Sequence, residues 1–330
     1  MGAGVAKLPR RRFLHLAAGA AALSAMSRIA SALDYPTRPV RIIVGFPAGG
    51  PTDFHARLIG PWLSERLGQP FVVENIAGAT GNIGAETALH APADGYTLLL
   101  ATVANAINET LYKNLKFSFV RDAVPVAGII QSQLVVEVSS SFPVKSIPEF
   151  VAYAKGNPGS VNVASAGNGS PQHVALELFK MMTGLNMIHV PYRGEAPALT
   201  DLIGGHVQAM FGTITSSLPL VRSGKLRALA VTGASRSAAL PDLPTVGEFV
   251  PGYEAETWAG ICAPHGTPTE IIELLNREVD AGLESPAIKA RYADLAETTF
   301  TGSPSNFGKF IANDTAKWAK VIKSAGIEAE

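Results

Sequence analysis

Short strand-like runs made mostly of apolar or β-branched residues, each followed by a helix-like stretch, are the feature that most restricts how this chain can fold. Residues 40–44 and 96–101 are such runs, and a helix-like stretch at 52–67 follows the first and stops at Gly68. A strand buried on both faces is apolar throughout, and strands that alternate with helices form parallel sheets covered by helices. The same alternation starts again near residue 160. The sequence therefore predicts an α/β fold with two sheet-containing blocks.

Two long strand-like runs connect the two blocks. One is predicted at 124–138, between the blocks, and the other at 257–263, after the second block. Helices are predicted near 268–283 and 304–323, and no further sheet follows them in the sequence. We therefore expect both helices to pack back on the first block.

These connections predict a domain organisation. Domain one is expected to be a discontinuous α/β domain at 33–133 plus 257–330, and domain two an α/β domain at 134–256. The two long strands would cross between the domains as a two-strand hinge. A cleft between α/β lobes joined in this way is a common place for a small ligand.

Side chains that cap helices mark several helix starts. Ser146 with Glu149, and Thr267 with Glu270, have the spacing of capping boxes. Ser303 is followed by Pro304, and proline is favoured at the first position of a helix. We therefore expect helices to begin directly after these three capping residues.

The first 32 residues have the organisation of an export signal. Three arginines at 10–12 precede an apolar run at 14–26 and a small-residue cleavage motif that ends at Ala32. The order Arg-Arg-x-Phe-Leu is typical of the twin-arginine signal. The apolar run is shorter than the about 20 residues that span a membrane. We expect cleavage of residues 1–32 and a soluble, periplasmic mature protein.

Charge and motif content exclude several classes of function. Without the signal, which holds five basic residues and no acid, the chain has 22 Lys and Arg against 27 Asp and Glu. This balance gives no basic surface for nucleic acid. The single cysteine, Cys262, lies in an apolar stretch and is expected to be a small buried residue. No hydrolase, nucleotide-binding or metal-ligand motif is found, so we expect no catalytic residue, metal or cofactor.

Five loops share one position, after a predicted strand and before a helix, which is where α/β sheets bind ligands. They are residues 46–53, 75–84, 101–105, 165–170 and 191–194. Glycine lets backbone N–H groups approach a ligand closely, and helix N-termini favour anions. Together the loops predict a site for a small carboxylate.

Several candidate residues also have a structural interpretation. Asp53 could be a helix cap or dipole partner rather than a ligand contact, and Ser170 could be an N-cap alone. His173 fits a structural helix residue. Arg193 could bind a ligand carboxylate through paired N–H donors, or it could be a solvated surface cation.

The resemblance to a known family rests on ten segments in a fixed order. They are Arg38 to Val44, Phe46-Pro47-Ala48-Gly49-Gly50-x-x-Asp53, Val73-Glu74-Asn75, Gly81-Asn82-Ile83-Gly84, Asp94-Gly95-Tyr96-Thr97-Leu98, Ala166-Gly167-x-Gly169-Ser170, His189-Val190-Pro191-Tyr192-Arg193-Gly194, Pro197-Ala198-Leu199-x-Asp201-Leu202, Pro241-x-Leu243-Pro244-Thr245 and Ala263-Pro264-x-Gly266-Thr267-Pro268. Together they resemble the substrate-binding proteins of tripartite tricarboxylate transporters, the Bug-type or TctC-type receptors. The resemblance covers essentially the whole mature chain.

The resemblance implies a two-lobed, type II-like periplasmic-binding-protein fold that closes around a small organic acid. It implies a monomer that delivers the acid to a membrane permease with a large and a small subunit. The acid would be held largely by backbone N–H groups and water, without chemistry. The ligand-binding residues implied are Phe46, Pro47, Ala48, Gly49, Gly50, Asp53, Gly81, Asn82, Ala101, Thr102, Val103, Ser165, Ala166, Gly167, Gly169, Ser170, His173, Tyr192, Arg193, Gly212 and Thr213.

The chain departs from the family pattern in two places. Ala77 and Thr80 replace a proline and a glycine in the second loop, and Gly212-Thr213 stand where many members place an acid. The missing acid favours plain mono- or dicarboxylates or aromatic acids over amino acids. Two alternative functions stay open: a ligand-presenting sensor subunit for a membrane signalling partner, and an exported hydrolase or isomerase.

Overall fold

Strands and helices alternate along most of the chain. The computed structural model describes residues 34–329, and the predicted signal at 1–32 lies outside the described residues. The strands are β1 (Val40–Val44), β2 (Phe71–Asn75), β3 (Thr97–Thr102), β4 (Ala123–Ser139), β5 (Asn162–Ser165), β6 (Ile188–Pro191), β7 (Ala209–Thr213), β8 (Leu226–Val231), β9 (Glu256–Pro264) and β10 (Thr298–Thr299). The helices are α1 (Pro51–Leu67), α2 (Asn82–Leu89), α3 (Val103–Leu111), α4 (Phe119–Asp122), α5 (Ile147–Gly156), α6 (Pro171–Thr183), α7 (Glu195–Gly204), α8 (Ile214–Arg222), α9 (Thr269–Glu284), α10 (Pro286–Asp294) and α11 (Pro304–Ala325).

The strands form two sheets that share β4. The first lobe contains the order β2-β1-β3-β9-β4, and the second contains β6-β5-β7 with β4 and β8. Neighbours among β1–β3 and among β5–β7 are parallel, as predicted. The pairs that involve β4, β8 or β9 are antiparallel, so the expectation of purely parallel sheets is wrong for them. Among the described strands, only β4 pairs in both sheets; β9 pairs with β3 and β4 in the first sheet, and β8 pairs with β4 in the second.

Strand β4 is a single long strand, which confirms the run predicted at 124–138. Its residues 123–133 pair with β9 in the first sheet. Its residues 134–139 pair with β7 and β8 in the second sheet. Strand β4 is therefore part of both sheets and connects the two lobes.

The side chain of Thr232 links the outgoing and returning crossings. Its Oγ1 accepts a hydrogen bond from the Leu134 N–H in β4 at 2.8 Å and donates one to the Ala255 carbonyl at 2.6 Å. Ala255 is the residue directly before β9, and its N–H donates to the Thr232 carbonyl at 2.9 Å. The buried Thr232 therefore joins the two crossings directly beyond the last β4–β9 pair, Gln133 with Glu256.

The two C-terminal helices do not pack in the same way. Helix α9 packs on α1 in the first lobe, as expected, and Trp62 Nε1 donates to the Glu278 carbonyl at 2.8 Å. Helix α11 packs on α3 of the first lobe and also on α6 of the second. The expectation for α11 is therefore correct only in part.

Two of the three predicted helix starts are confirmed. The Ser146 hydroxyl accepts the Glu149 N–H, and the Ser303 hydroxyl accepts the Asn306 N–H. The capping box at Thr267 is wrong, because α9 begins two residues later and the Thr267 hydroxyl donates to the Pro264 carbonyl at 2.8 Å. The hydroxyl of Thr267 therefore stabilises the turn after β9 and does not cap α9.

Cys262 is fully buried in β9, as expected, and burial raises the pKa of its thiol. Its neighbours in the apolar core include Trp258 and Phe307, whose rings meet edge to face. No helix in the part of the chain that the structure describes is long and apolar enough to cross a membrane.

Candidate ligand-binding cleft

A cavity of about 540 Å³ lies where loops of the two lobes face each other. The predicted ligand-binding residues that line it are Phe46, Gly49, Gly50, Thr102, Val103, Ala166, Gly169, Ser170 and Thr213. They come from the loops after β1, β3, β5 and β7, so the structure brings together residues far apart in the sequence. Four of the five predicted loops, at 46–53, 75–84, 101–105 and 165–170, therefore contribute residues to one cavity, and the loop at 191–194 does not.

Four helix N-termini border this cavity, and that of α8 does so through its N-cap residue Thr213. The N-cap residues of α1, α3 and α6 are Gly50, Thr102 and Ser170, and all three line it. The Gly50 cap provides no side chain to accept the first N–H groups of α1. Thr102 forms a capping box with Asn105, whose Oδ1 accepts the Thr102 N–H at 2.9 Å. This arrangement offers N–H donors and the positive ends of helix dipoles to an anion.

Asp53 supports the first loop from behind and does not line the cavity. Its carboxylate accepts hydrogen bonds from the Gly49 N–H at 2.8 Å, from Arg57 Nε at 2.8 Å and from Asn75 Nδ2 at 2.9 Å. The hydrogen bond from Arg57 is the main reason that the pKa of Asp53 is lowered to about 2, although burial opposes it. Asn75 also donates to the Phe46 carbonyl at 3.0 Å. Asp53 therefore fixes the shape of the loop that presents Gly49 and Gly50.

A pair of histidines supports the second-lobe loop in a similar way. The Gly169 N–H donates to His173 Nδ1 at 3.1 Å. The rings of His173 and His189 stack at 3.6 Å, and Ser165 Oγ lies 2.6 Å from His189 Nε2. Burial lowers the pKa of His173 to about 3 and that of His189 to about 4. Both rings are uncharged at neutral pH, which agrees with the structural interpretation of His173.

The structure places the other predicted residues outside the cavity wall. They are Pro47, Ala48, Asp53, Gly81, Asn82, Ala101, Ser165, Gly167, His173, Tyr192, Arg193 and Gly212. Arg193 is exposed, and the Tyr192 hydroxyl donates to Asp201 at 2.7 Å. Contact between these residues and a ligand stays a prediction.

Residues outside the predicted set form the rest of the wall. They are Pro51, Thr52, Phe54, His55, Thr80, Ala104, Ile130, Ser132, Pro171, Gln172, Glu195, Thr215, Ser216, Thr257, Trp258, Ala259, Leu295 and Glu297. Glu195 could have been found, because it directly follows the predicted loop at 191–194. No sequence pattern points to Glu297. It lies between α10 and β10, far from the predicted loops in the sequence, and tertiary packing alone places it in the cavity wall.

Comparison with known proteins identifies the family. The family described as "Tripartite tricarboxylate transporter family receptor", TctC, has a model that matches residues 55–327. The chain belongs to the TctC receptor family. Protein BugT of Bordetella pertussis is 38% identical to it over 299 residues, which cover 90% of this chain and 92% of BugT.

Solved structures of TctC relatives share the fold. R. palustris Rpa4515 with adipate has a TM-score of 0.77 and 40% identity, and the match covers 89% of this chain and 99% of that one. MatC from Rhodopseudomonas palustris with bound malate has a TM-score of 0.74 and 31% identity, covering 87% and 100%. These similarities confirm the predicted family and the two-lobed α/β fold.

The sequence led us to infer that no acid lies near Gly212 and Thr213, and this inference is wrong. In the structure of this TctC receptor, the carboxylate of Glu195 lies against Thr213. Glu195 Oε1 accepts the Thr213 N–H at 2.7 Å, and Glu195 Oε2 accepts the Thr213 hydroxyl at 2.9 Å. Burial raises the pKa of Glu195, and the hydrogen bonds from Thr213 partly offset that effect. The acid is supplied by a different element of the chain, α7, so the sequence argument against amino acids does not hold.

A second acid, Glu137, is completely buried behind Gly212 in the receptor. Its carboxylate oxygens have no hydrogen-bond partner that meets normal geometry among the described residues. A Cβ at Gly212 would collide with this carboxylate and lie 2.6 Å from Ser217 Oγ. Burial raises the pKa of Glu137 to about 8; the nearby Ser217 lowers it and Glu195 raises it further. Position 212 therefore needs glycine, because the Glu137 side chain fills the space that a Cβ would occupy.

Replacing Glu137 with glutamine is expected to weaken the pH dependence of stability. The folded receptor keeps a proton that the unfolded chain loses above the ordinary pKa of 4.5, so wild-type stability falls as pH rises towards about 8. One such proton corresponds to a slope of ~1.4 kcal/mol per pH unit. Relative to wild type, Glu137→Gln should gain about 1 kcal/mol between pH 6 and pH 7 in denaturant unfolding. Exposed Glu273→Gln is the control, and identical slopes for Glu137→Gln and wild type would contradict the assignment.

Proposed function

We propose that this chain is a periplasmic solute-binding receptor that captures a small carboxylate in the cleft for a tripartite transporter. The observation that carries the proposal is the cavity bordered by the N-termini of α1, α3 and α6. Membership of the TctC family supports it, as do the relatives whose structures contain adipate and malate. We further propose export through the signal at 1–32 and a membrane permease as the partner.

The ligand would stabilise closure because its anion is shared by both lobes. Helices α1 and α3 belong to the first lobe and α6 to the second, so one carboxylate can accept N–H donors from both. A contact across the lobes already exists beside the cavity, where the Thr215 hydroxyl donates to the Leu295 carbonyl at 3.1 Å. A ligand that binds the closed form more tightly shifts the protein towards it. The domain bounds 33–133 plus 257–330 and 134–256 stay part of this proposal.

A contact between Ser165 and His189, among the described residues beside the cleft, is compatible with binding without turnover. Ser165 Oγ and His189 Nε2 are close enough for a nucleophile and a base. Ser165 is, however, fully buried, and it does not line the cavity. A substrate in the cleft would not reach this hydroxyl, which favours a receptor over a hydrolase.

Thermal unfolding with a panel of organic acids tests the proposal. The purified protein is first unfolded and refolded to remove carried-over ligand. A specific acid at 100 times its Kd adds about 2.7 kcal/mol to stability, which raises Tm by roughly 5–10 °C. The matched control is the neutral amide of each acid, which keeps the shape and removes the charge, and it should give no shift. Equal shifts with acid and amide, no shift with any acid, or conversion of the acid during incubation would contradict a carboxylate receptor.

A further inference from the structure

The polar wall of the cavity carries acids and no compensating base. Glu195 of the second lobe and Glu297 of the first both line it. No lysine or arginine is among the described residues of this wall, and burial lowers the pKa of the one histidine, His55, to about 4. A cavity expected to take a carboxylate therefore has two acidic side chains in its wall, away from the helix N-termini.

Neighbouring side chains hold the acid of the second lobe in place. Thr213 donates to Glu195 through both its N–H and its hydroxyl, and the Ser216 hydroxyl lies 3.4 Å from Glu195 Oε2. The Gln172 amide also hydrogen-bonds Glu195. The Gln172 Oε1 atom then has no partner among the described residues, and Gln172 is only 5% exposed. This side of the cavity therefore presents a fixed carboxylate beside a second, unsatisfied acceptor.

The acid of the first lobe is less well satisfied. The Glu297 side chain is 7% exposed, and its Oε2 atom has no hydrogen-bond partner in the described part of the chain. The closest ion-pair contact is His55 Nδ1 at 3.9 Å, but that ring is uncharged at neutral pH. Tyr292 stands beside His55, and its buried hydroxyl has no partner either. Glu297 therefore needs a donor that these neighbours do not supply.

We propose that the ligand carries an ammonium group in addition to its carboxylate, and that Glu195 and Glu297 bind this group from the two lobes. This inference rests on the proposed function. Buried acceptors and carboxylates are costly unless donors or a positive charge compensate them, and an ammonium group provides both. A second carboxylate in the same place would face two acids. The ligand class is therefore amino-substituted carboxylates.

The pH dependence of binding separates an ammonium group from a second carboxylate. Burial raises the pKa of Glu297 to about 7 and also raises that of Glu195. The titratable neighbours are Glu137 beside Glu195 and His55 with Tyr292 beside Glu297. The other charged groups that share a second cavity with Glu297 are Arg222, Arg236, Glu256 and Asp294. An ammonium ligand needs ionised acids, so its affinity should rise from pH 6 to pH 8, whereas a dicarboxylate held by protonated acids should weaken.

Calorimetry with matched probes tests the inference. At each chain length from three to eight carbons, the plain acid, the dicarboxylate, the 2-amino acid and the terminal amino acid are compared. At the best chain length, we expect an amino acid to bind at least tenfold more tightly than the plain acid and the dicarboxylate. Tighter or equal binding of either acid without nitrogen would overturn this inference and leave the proposed function intact. Failure of every probe to bind would overturn both.

Charge-removing variants assign the ammonium site. Glu195→Gln and Glu297→Gln should each weaken the best amino acid at least tenfold, whereas the matched plain acid, which has no ammonium group to lose a partner, should not be weakened. Glu273→Gln, an exposed change of the same kind in α9, should alter neither affinity. Thermal unfolding without ligand checks that each variant is folded. Wild-type affinity for the amino acid in both variants would overturn the assignment.

Discussion

Replacing Gly84 with alanine is expected to lower the free energy of unfolding by about 3 kcal/mol, at the upper end for overpacking. A Cβ at this position in α2 would lie 2.7 Å from Gly45 Cα and 2.8 Å from the Ile76 carbonyl oxygen. Both neighbours are backbone atoms, so no side-chain rotation can relieve the collision. The helix would have to move away from the end of β1, where the first ligand loop begins.

Chemical denaturation with a matched glycine measures this effect. Gly156 is also helical, in α5, and a Cβ there would meet no atom within 4 Å. Gly156→Ala should therefore be neutral or stabilising by up to about 1 kcal/mol, because alanine favours the helix. If the two variants unfold at the same denaturant concentration, the close approach of α2 to β1 is not a constraint in solution.

Replacing Asp53 with asparagine is expected to cost about 2–3 kcal/mol of stability and to weaken ligand binding about tenfold or more. The carboxylate is 3% exposed and accepts from three donors, namely the Gly49 N–H, Arg57 and Asn75. An amide has one acceptor oxygen, so at least one of these donors would face the new NH2 group. The loop that presents Gly49 and Gly50 to the cavity would then lose its fixed shape.

The pH dependence gives this prediction a second readout. The folded pKa of Asp53 is lowered from 3.8 to about 2, so its stabilising effect is complete above about pH 4 and is lost as pH falls towards 2. The stability difference between wild type and Asp53→Asn should shrink over that range. Exposed Asp242→Asn is the control and should show little difference at any pH. A difference that stays constant down to pH 2 would show that the charge of Asp53 is not what matters.

Local patterns predicted the positions of the long strands correctly, but they did not predict the order of the strands in the sheets. The largely apolar, β-branched runs predicted β1, β3 and nearly the full length of β4, because strands buried in the sheet consist mostly of such residues. Capping side chains gave the starts of α5 and α11, since that hydrogen bond spans only three residues. The same rule predicted a cap at Thr267 wrongly, because the Thr267 hydroxyl donates to the Pro264 carbonyl in a turn.

The chemistry of the cleft could be predicted only in part. Gly49, Gly50 and Ser170 were found because a strand-to-helix loop is a local feature. Glu297 was missed because its place on the wall depends on the packing of a segment more than 200 residues from the first loop. The acid at Thr213 was missed because α7, and not the strand itself, supplies it. Contacts of this kind are set by tertiary structure and leave no periodic pattern.

The three-way contact of Thr232 restricts how the lobes can move. Because one side chain fastens both crossings at the same point, sliding of one crossing past the other would break its hydrogen bonds to Leu134 and Ala255. Rotation about that point keeps both. We therefore expect the lobes to turn about Thr232 on closure, with a displacement that grows with distance from this residue. A small angular change there would give a large change in width at the mouth of the cleft.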